Sequence, residues 1–162
     1  MLGDASTRDS AFVKAFGTKT VTVTLPSATH AYDMLAGKYL EIEQVRYGDR
    51  LRVEWDIDAA ATAARVPPLV LQPLVENAVR HGVEPALEGG RVWIRVAARR
   101  GHAVVLIRNT IPDEPSRPGA GMALATVRER LRLLHDVGAQ CEVWRERVDG
   151  IEQFHARIVV PL

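Results

Sequence analysis

The segment Val66–Val83 reads Val-Pro-Pro-Leu-Val-Leu-Gln-Pro-Leu-Val-Glu-Asn-Ala-Val-Arg-His-Gly-Val and holds the clearest helical pattern in the chain. Pro67 and Pro68 favour a helix start and Gly82 its end, whereas Pro73 lacks a backbone N–H and is expected to bend the first turn. Apolar residues recur at spacings of three and four, which predicts one helix face packed on a core: Leu71, Leu74, Val75, Ala78, Val79 and Gly82.

The opposite side of this predicted helix carries Glu76, Asn77, Arg80 and His81, in two pairs one turn apart. Asparagine is a mediocre helix former, so Asn77 beside a carboxylate at mid-helix needs an explanation. One explanation is an ordinary solvated face. The other is a metal–nucleotide site, in which the Asn77 carbonyl binds Mg²⁺ and Glu76 orients or deprotonates a nucleophile. The pattern by itself leaves both open.

Composition limits the function classes. The chain has 162 residues, enough for one domain with a substantial core. Twenty-one basic and 20 acidic residues give a net charge of +1, so neither nucleic acid nor an anionic membrane is indicated as a partner. Cys141 is the only cysteine, which excludes an internal disulfide. No apolar run approaches the roughly 20 residues of a membrane span, so we expect a cytoplasmic piece whose parent protein is anchored in the inner membrane.

The first part of the chain divides into a tail and the start of a domain. Residues 1–18 are expected to be a tail or the end of a truncated helix, and residues 19–162 to form the domain. Lys19 to Leu25 alternates as a strand does, and so does Leu51 to Asp56. Between them, His30 to Tyr47 has helical periodicity. Its predicted inward positions are Leu35, Tyr39, Leu40, Ile42 and Val45, with Glu41, Glu43 and Arg46 facing out.

The second part predicts a hairpin, a loop, a helix and a second hairpin. The hairpin strands are Val92–Ala98 and Val104–Arg108, and the second strand ends in Asn109. Thr110 to Gly121 is rich in proline and glycine, which indicates a functional loop. The helix after it should bury Leu124, Val127, Leu131 and Leu134, and the last hairpin Trp144, Phe154, Ile158 and Val160. His155, like the remaining histidines, is assigned to the surface or a turn.

This order of elements predicts a two-layer α/β sandwich, in which about three helices cover one side of a mixed β-sheet. Three motifs carry a family resemblance. Gln72 to Gly82 resembles the N box of LytS/AlgZ-type sensor histidine kinases, Tyr39 to Leu51 resembles the segment before it, and Gly119 to Leu131 resembles the glycine-box helix. The resemblance implies the Bergerat-type ATP-binding fold of the GHKL superfamily, with ATP and Mg²⁺ as cofactors.

The resemblance also implies roles on the helix. Glu76 would be the general base or polarising carboxylate and Asn77 the Mg²⁺ ligand. Arg80 and His81 would lie beside the phosphates.

Beyond the helix, the resemblance implies that Asn109 binds adenine and that Gly119 and Gly121 let a mobile lid approach the phosphates. Thr126 and Arg130 would complete the nucleotide contacts.

Three positions depart from the family pattern. Asn109-Thr110-Ile111 stands where Asp-x-Gly is usual, Ala123 replaces the third glycine, and Thr126 replaces an asparagine. An asparagine in the position of the adenine-binding aspartate resembles the AlgZ/FimS branch.

No histidine has the context of the family's phosphate acceptor, so the resemblance implies transfer to a histidine on a separate dimerisation domain, and this chain is not expected to phosphorylate itself. The second expected partner is a cognate response regulator. The alternative is a degenerate pseudokinase module that binds the kinase core or regulator. A different GHKL ATPase, such as an anti-sigma-factor kinase, is disfavoured by Tyr39 to Leu51.

Overall fold

The structure is a computed structural model that describes residues 30–61, 70–113 and 121–162, and the side chains from residue 36 onward. The predicted strand Lys19–Leu25 and the predicted lid residue Gly119 lie outside the described residues.

Three α-helices lie within the described ranges: α1 is His30–Tyr47, α2 is Gln72–Gly82 and α3 is Gly121–His135. The strands are β1 (Leu51–Ile57), β2 (Gly90–Arg99), β3 (His102–Thr110), β4 (Gln140–Val148) and β5 (Ile151–Pro161). Single 3-10 turns occupy Gly48–Arg50, Ala59–Ala61 and Asp136–Gly138. None of the described helices has both the length and the apolarity needed to cross a membrane.

The five described strands form one sheet in the order β1-β2-β3-β5-β4. β1 pairs with β2 in parallel and all other neighbours are antiparallel. A parallel pair needs a crossover connection, and α2 lies in the one between β1 and β2. The apolar sides of the three helices and one face of the sheet share a single core. The predicted two-layer sandwich with a mixed sheet is confirmed.

Helix α2 buries the predicted apolar face, including Leu74, Val75, Ala78 and Val79. It begins at Gln72, so Pro73 falls in the first turn. The first N–H groups of a helix have no partner within the helix, and a proline therefore costs nothing there. Pro73 therefore loses no hydrogen bond within the helix, and the bend stays a prediction.

Helix α1 turns a different side to the core than the sequence pattern predicted. Glu43 is only 8% exposed, whereas Val45 is 85% exposed and Ile42 is also at the surface. The buried stripe runs through Ala36, Leu40 and Glu43, which are spaced four and three apart. Glu43 is buried because it lies on this stripe, which faces the core.

The last hairpin also departs from the prediction. His155 is only 4% exposed, and Trp144 is at the surface. Both lie on the sheet face away from the helices, where the two rings stack with centroids 4.9 Å apart. Burial and the nearby Arg108 guanidinium lower the pKa of His155. Leu134 on α3, predicted to be buried, is exposed as well, whereas Ile158 and Val160 are buried as predicted.

The last residue of α2 lies directly against β3. A Cβ added at Gly82 would be 2.6 Å from the Thr110 carbonyl oxygen and 2.8 Å from the Asn109 amide nitrogen. The first of these is a backbone atom, which cannot rotate away. Only glycine therefore lets the end of α2 approach the sheet this closely.

We predict that Gly82→Ala destabilises the protein by about 2–3 kcal/mol, the upper range for overpacking, because α2 must move away from β3. Urea unfolding measures this loss. Gly121→Ala is the matched control, since a Cβ there has no atom of the described residues within 4 Å, and it should change stability by less than about 0.5 kcal/mol. Equal stability of the two variants would contradict the close approach.

Candidate functional site

The four polar residues predicted on α2 all lie on the side of the helix away from the core. Arg80 is exposed, and Glu76, Asn77 and His81 are half-buried. The Gln72 side-chain nitrogen donates a hydrogen bond to the Glu76 carboxylate at 2.9 Å, one turn apart on the helix. This contact orients the Glu76 carboxylate.

Helix α1 brings Tyr39, which the sequence analysis assigned to structure alone, close to Glu76 and Arg80 on α2. Tyr39 is half-buried, and burial together with the negative charges of Glu43 and Glu76 raises its pKa to about 12. The positive charge of Arg80 acts in the opposite direction. Tyr39 and Glu43 are four residues apart, which places them on one side of α1. That spacing was the signal available in the sequence.

The histidine at the end of α2 is in a positive environment. Burial is the main cause that lowers the pKa of His81, followed by the charges of Arg80 and of Arg145 on β4. His81 is therefore neutral at pH 7 and can accept or donate a hydrogen bond. No pattern in the sequence indicates that Arg145, on the edge strand β4, would act on His81.

Asn109 lies beneath the end of α2 and is 1% exposed. Its side-chain nitrogen donates a hydrogen bond to the Thr110 carbonyl oxygen at 3.0 Å. β3 extends one residue further than predicted, so Asn109 is within the strand and points to the helix side of the sheet. The end of α2 packs directly on Asn109, because a Cβ added at Gly82 would be 2.8 Å from the Asn109 side-chain nitrogen.

Helix α3 carries the remaining predicted residues. Gly121 is its exposed first residue, and Gly119 lies outside the described residues. The Thr126 hydroxyl donates to the Met122 carbonyl oxygen at 3.0 Å, one turn earlier in the same helix. Arg130 is half-buried on the same helix. α3 packs against α2, so these residues belong to the helix layer that also holds Asn77.

The donor set fits a nucleotide-bound Mg²⁺ better than a resident metal ion. Among the described residues, no group of three or more histidine, cysteine or acidic side chains could hold a metal ion. Mg²⁺ is commonly held by one or two protein oxygens and completed by phosphate oxygens and water. Asn77 and Glu76 offer such oxygens on an accessible side of α2.

The chain is similar to sensor histidine kinases in sequence and to histidine kinase domains in structure. No family model matches the chain. Sensor histidine kinase YpdA of Escherichia coli is 36% identical over 110 residues, which cover 62% of this chain and 19% of YpdA. Sensor protein LytS of Staphylococcus saprophyticus is 30% identical over 118 residues, covering 65% of this chain and 20% of LytS. The chain thus spans about one fifth of the length of these curated relatives.

Among solved structures, the catalytic domain of histidine kinase ThkA superposes with a TM-score of 0.57 at 18% identity, covering 83% of this chain and 92% of ThkA's domain. A blue-light-activated histidine kinase of Erythrobacter litoralis gives a TM-score of 0.54 at 19% identity, covering 85% of this chain and 42% of that chain.

The fold is therefore that of histidine kinase catalytic domains, as predicted. By sequence the chain is homologous to sensor histidine kinases, and LytS proteins are among its relatives. The comparisons give no support to the pseudokinase alternative.

We predict that Tyr39→Phe reduces the loss of stability at high pH. The folded-state pKa of Tyr39 is about 12, above its ordinary value of 10.0, so its stabilising contribution is complete below pH 10 and is lost as pH rises through about 12. Urea unfolding at pH 8, 10 and 11 measures the effect, with wild type as the control. The Phe variant should lose less stability between pH 10 and 11, and identical losses would contradict the placement of Tyr39 beside the two carboxylates.

Proposed function

We propose that this chain is the ATP-binding catalytic domain of a two-component sensor histidine kinase of the LytS/AlgZ type. The observation that carries the proposal is the arrangement around the end of α2. Glu76 and Asn77 lie on one accessible side of α2, and the buried Asn109 lies directly under the end of the same helix, at Gly82. This brings a place for Mg²⁺ and phosphates close to the residue that would recognise the base.

In this proposal Mg²⁺-ATP supplies the γ-phosphoryl group. The Asn77 side-chain oxygen holds the metal ion, and Arg80 with neutral His81 contacts the phosphates. Glu76, held by Gln72 at 2.9 Å, polarises the nucleophilic nitrogen of the acceptor histidine. Catalysis then consists of positioning and of neutralising phosphate charge.

The adenine base is recognised by Asn109. Its nitrogen is already engaged by the Thr110 carbonyl, which turns the side-chain oxygen into the remaining acceptor for the adenine amino group. Gly119 and Gly121 let the lid approach the phosphates, and Thr126 and Arg130 of α3 complete the nucleotide contacts.

The partners follow from the same proposal. Residues 19–162 form the catalytic domain and residues 1–18 precede it. The phosphoryl group goes to a histidine on a separate dimerisation domain of the parent kinase and then to a cognate response regulator. Histidine kinase ThkA has been solved in complex with its response regulator TrrA, which supports a regulator partner. The domain acts on the cytoplasmic side of a parent anchored in the inner membrane, without touching nucleic acid or lipid.

We predict that the chain alone stays unlabelled when incubated with Mg²⁺ and ATP labelled at the γ-phosphate. Adding the histidine-bearing dimerisation domain of the parent kinase should give an acid-labile label on that domain. Asn77→Ala should lower the rate at least about 100-fold, the scale measured when one catalytic electrostatic contact is removed.

The control for this experiment is Gln140→Ala, an exposed amide at the start of the edge strand β4, which should label at the wild-type rate. Acid-labile label on the chain alone, or wild-type labelling by Asn77→Ala, would contradict the proposal.

We predict two opposite effects for Asn109→Asp. A carboxylate accepts a stronger hydrogen bond from the adenine amino group, which should tighten ADP binding by about 1 kcal/mol, near fivefold. The same change loses the bond to the Thr110 carbonyl and places two oxygens together, which should cost about 1–3 kcal/mol of stability. Calorimetric titration with ADP measures the change in binding, and urea unfolding measures the change in stability. Weaker ADP binding by the folded variant would mean that the base is read elsewhere.

A further inference from the structure

Arg50 connects the 3-10 turn before β1 to the segment that follows α2. Its Nη2 nitrogen lies 2.7 Å from the Ala86 carbonyl oxygen, 3.3 Å from that of Val83 and 3.5 Å from that of Glu84. These residues come directly after Gly82, the last residue of α2. A cation is favoured at this end of a helix, where the helix dipole is negative. Arg50 therefore caps the carboxyl end of α2 from another part of the chain.

The half-buried Arg50 is itself held in place. Its guanidinium lies over the Tyr47 ring, 5.5 Å from the ring centroid, which is a cation–π contact. Its backbone packs against Gly89, where an added Cβ would overlap the Arg50 carbonyl oxygen and where φ is +85°. Residues 83–89 are thus fixed to Arg50 at both ends, by hydrogen bonds to the guanidinium at the start and by backbone contact at the end.

The segment held by Arg50 continues into the contact between α2 and the sheet. Gly90, the first residue of β2, packs on the end of α2, since a Cβ added there would overlap the Gly82 carbonyl oxygen. The same Cβ would be 2.9 Å from the Thr110 hydroxyl. The Thr110 carbonyl in turn accepts the hydrogen bond from the Asn109 side chain. Direct contacts therefore run without a gap from Arg50 to Asn109.

We propose that Arg50 is a positioning residue for nucleotide binding, which acts on Asn109 through the end of α2 and does not touch the nucleotide. The inference rests on the proposed function, in which Asn109 recognises the base. Without the guanidinium, residues 83–89 lose their hydrogen bonds to the turn before β1. The end of α2 can then shift on β3, and in a close-packed interior such a shift moves the groups beneath it.

The first measurement uses the full chain without nucleotide. Arg50→Gln should shift the side-chain ¹H–¹⁵N resonances of Asn109, which are assigned by comparison with Asn109→Asp. It should also speed hydrogen exchange of the Gly89 amide, which donates to the Ala86 carbonyl oxygen at 3.0 Å, at least about tenfold, the scale of one hydrogen bond to a charged group. The matched control is Arg52→Gln, which removes an exposed arginine two residues further along and should leave both readouts unchanged.

The second measurement is calorimetric titration with ADP. Arg50→Gln should raise the Kd about tenfold, within the range for residues that couple to a ligand without contacting it. Arg50→Lys keeps the positive charge at the end of α2 and should recover part of the affinity, and Arg52→Gln should bind as wild type does. Urea unfolding verifies that each variant is folded under these conditions, because a loss of stability alone leaves the affinity of the folded protein unchanged.

The outcomes separate this inference from the proposed function. If wild type does not bind ADP, the proposed function fails, and with it the role in nucleotide binding, whereas the Asn109 and Gly89 readouts still decide whether Arg50 acts on Asn109. The inference is overturned if Arg50→Gln leaves the Asn109 resonances in place, or if the folded variant binds ADP as wild type does. Should Arg50→Gln not fold, Arg50→Lys decides by the same readouts, with smaller changes expected in the same direction.

Discussion

The close approach of α2 to β3 at Gly82 is the constraint on which the rest of the molecule depends. A backbone carbonyl and the Asn109 amide occupy the space that any side chain at residue 82 would need. This contact fixes the height of the helix above the sheet. It therefore also fixes where the polar side of α2 stands relative to the buried Asn109, and so relates the proposed phosphate and base positions to each other.

The two faces of the sheet have different chemistry. The helix side is apolar except at a few positions, and its buried polar groups, Glu43 and Asn109, lie around the proposed nucleotide site. The other face carries a row of paired aromatic and charged side chains, including Trp93, Arg108 and the stacked ring of His155. One sheet thus separates a nucleotide site made by helices from a polar surface made by strands alone.

Helix α1 connects the predicted motif Tyr39 to Leu51 with the predicted motif Gln72 to Gly82 on α2. Its Tyr39 lies in the electrostatic field of Glu76 and Arg80 on α2, so the segment that appeared to serve only the core also contributes to the site. By burying Glu43 in place of Ile42 or Val45, α1 buries a carboxylate and leaves apolar side chains exposed to water. The buried carboxylate pairs with the Arg46 guanidinium at 3.6 Å, one turn later on the same helix.

The sequence by itself determined the alternation of strands and helices and the apolar face of α2. It also determined the grouping of Glu76, Asn77, Arg80 and His81 on the other side of that helix. Each of these features depends on the spacing of residues within one element. The sequence did not determine which side of α1 is buried, or that Arg145 lies near His81. It also did not determine that Trp144, expected in the core, is exposed and that His155, expected at the surface, is buried. Nor did it indicate that Arg50 reaches the carbonyl groups that follow α2. Those facts depend on strand order and on how closely the layers pack, and both are set by contacts between residues far apart in the chain.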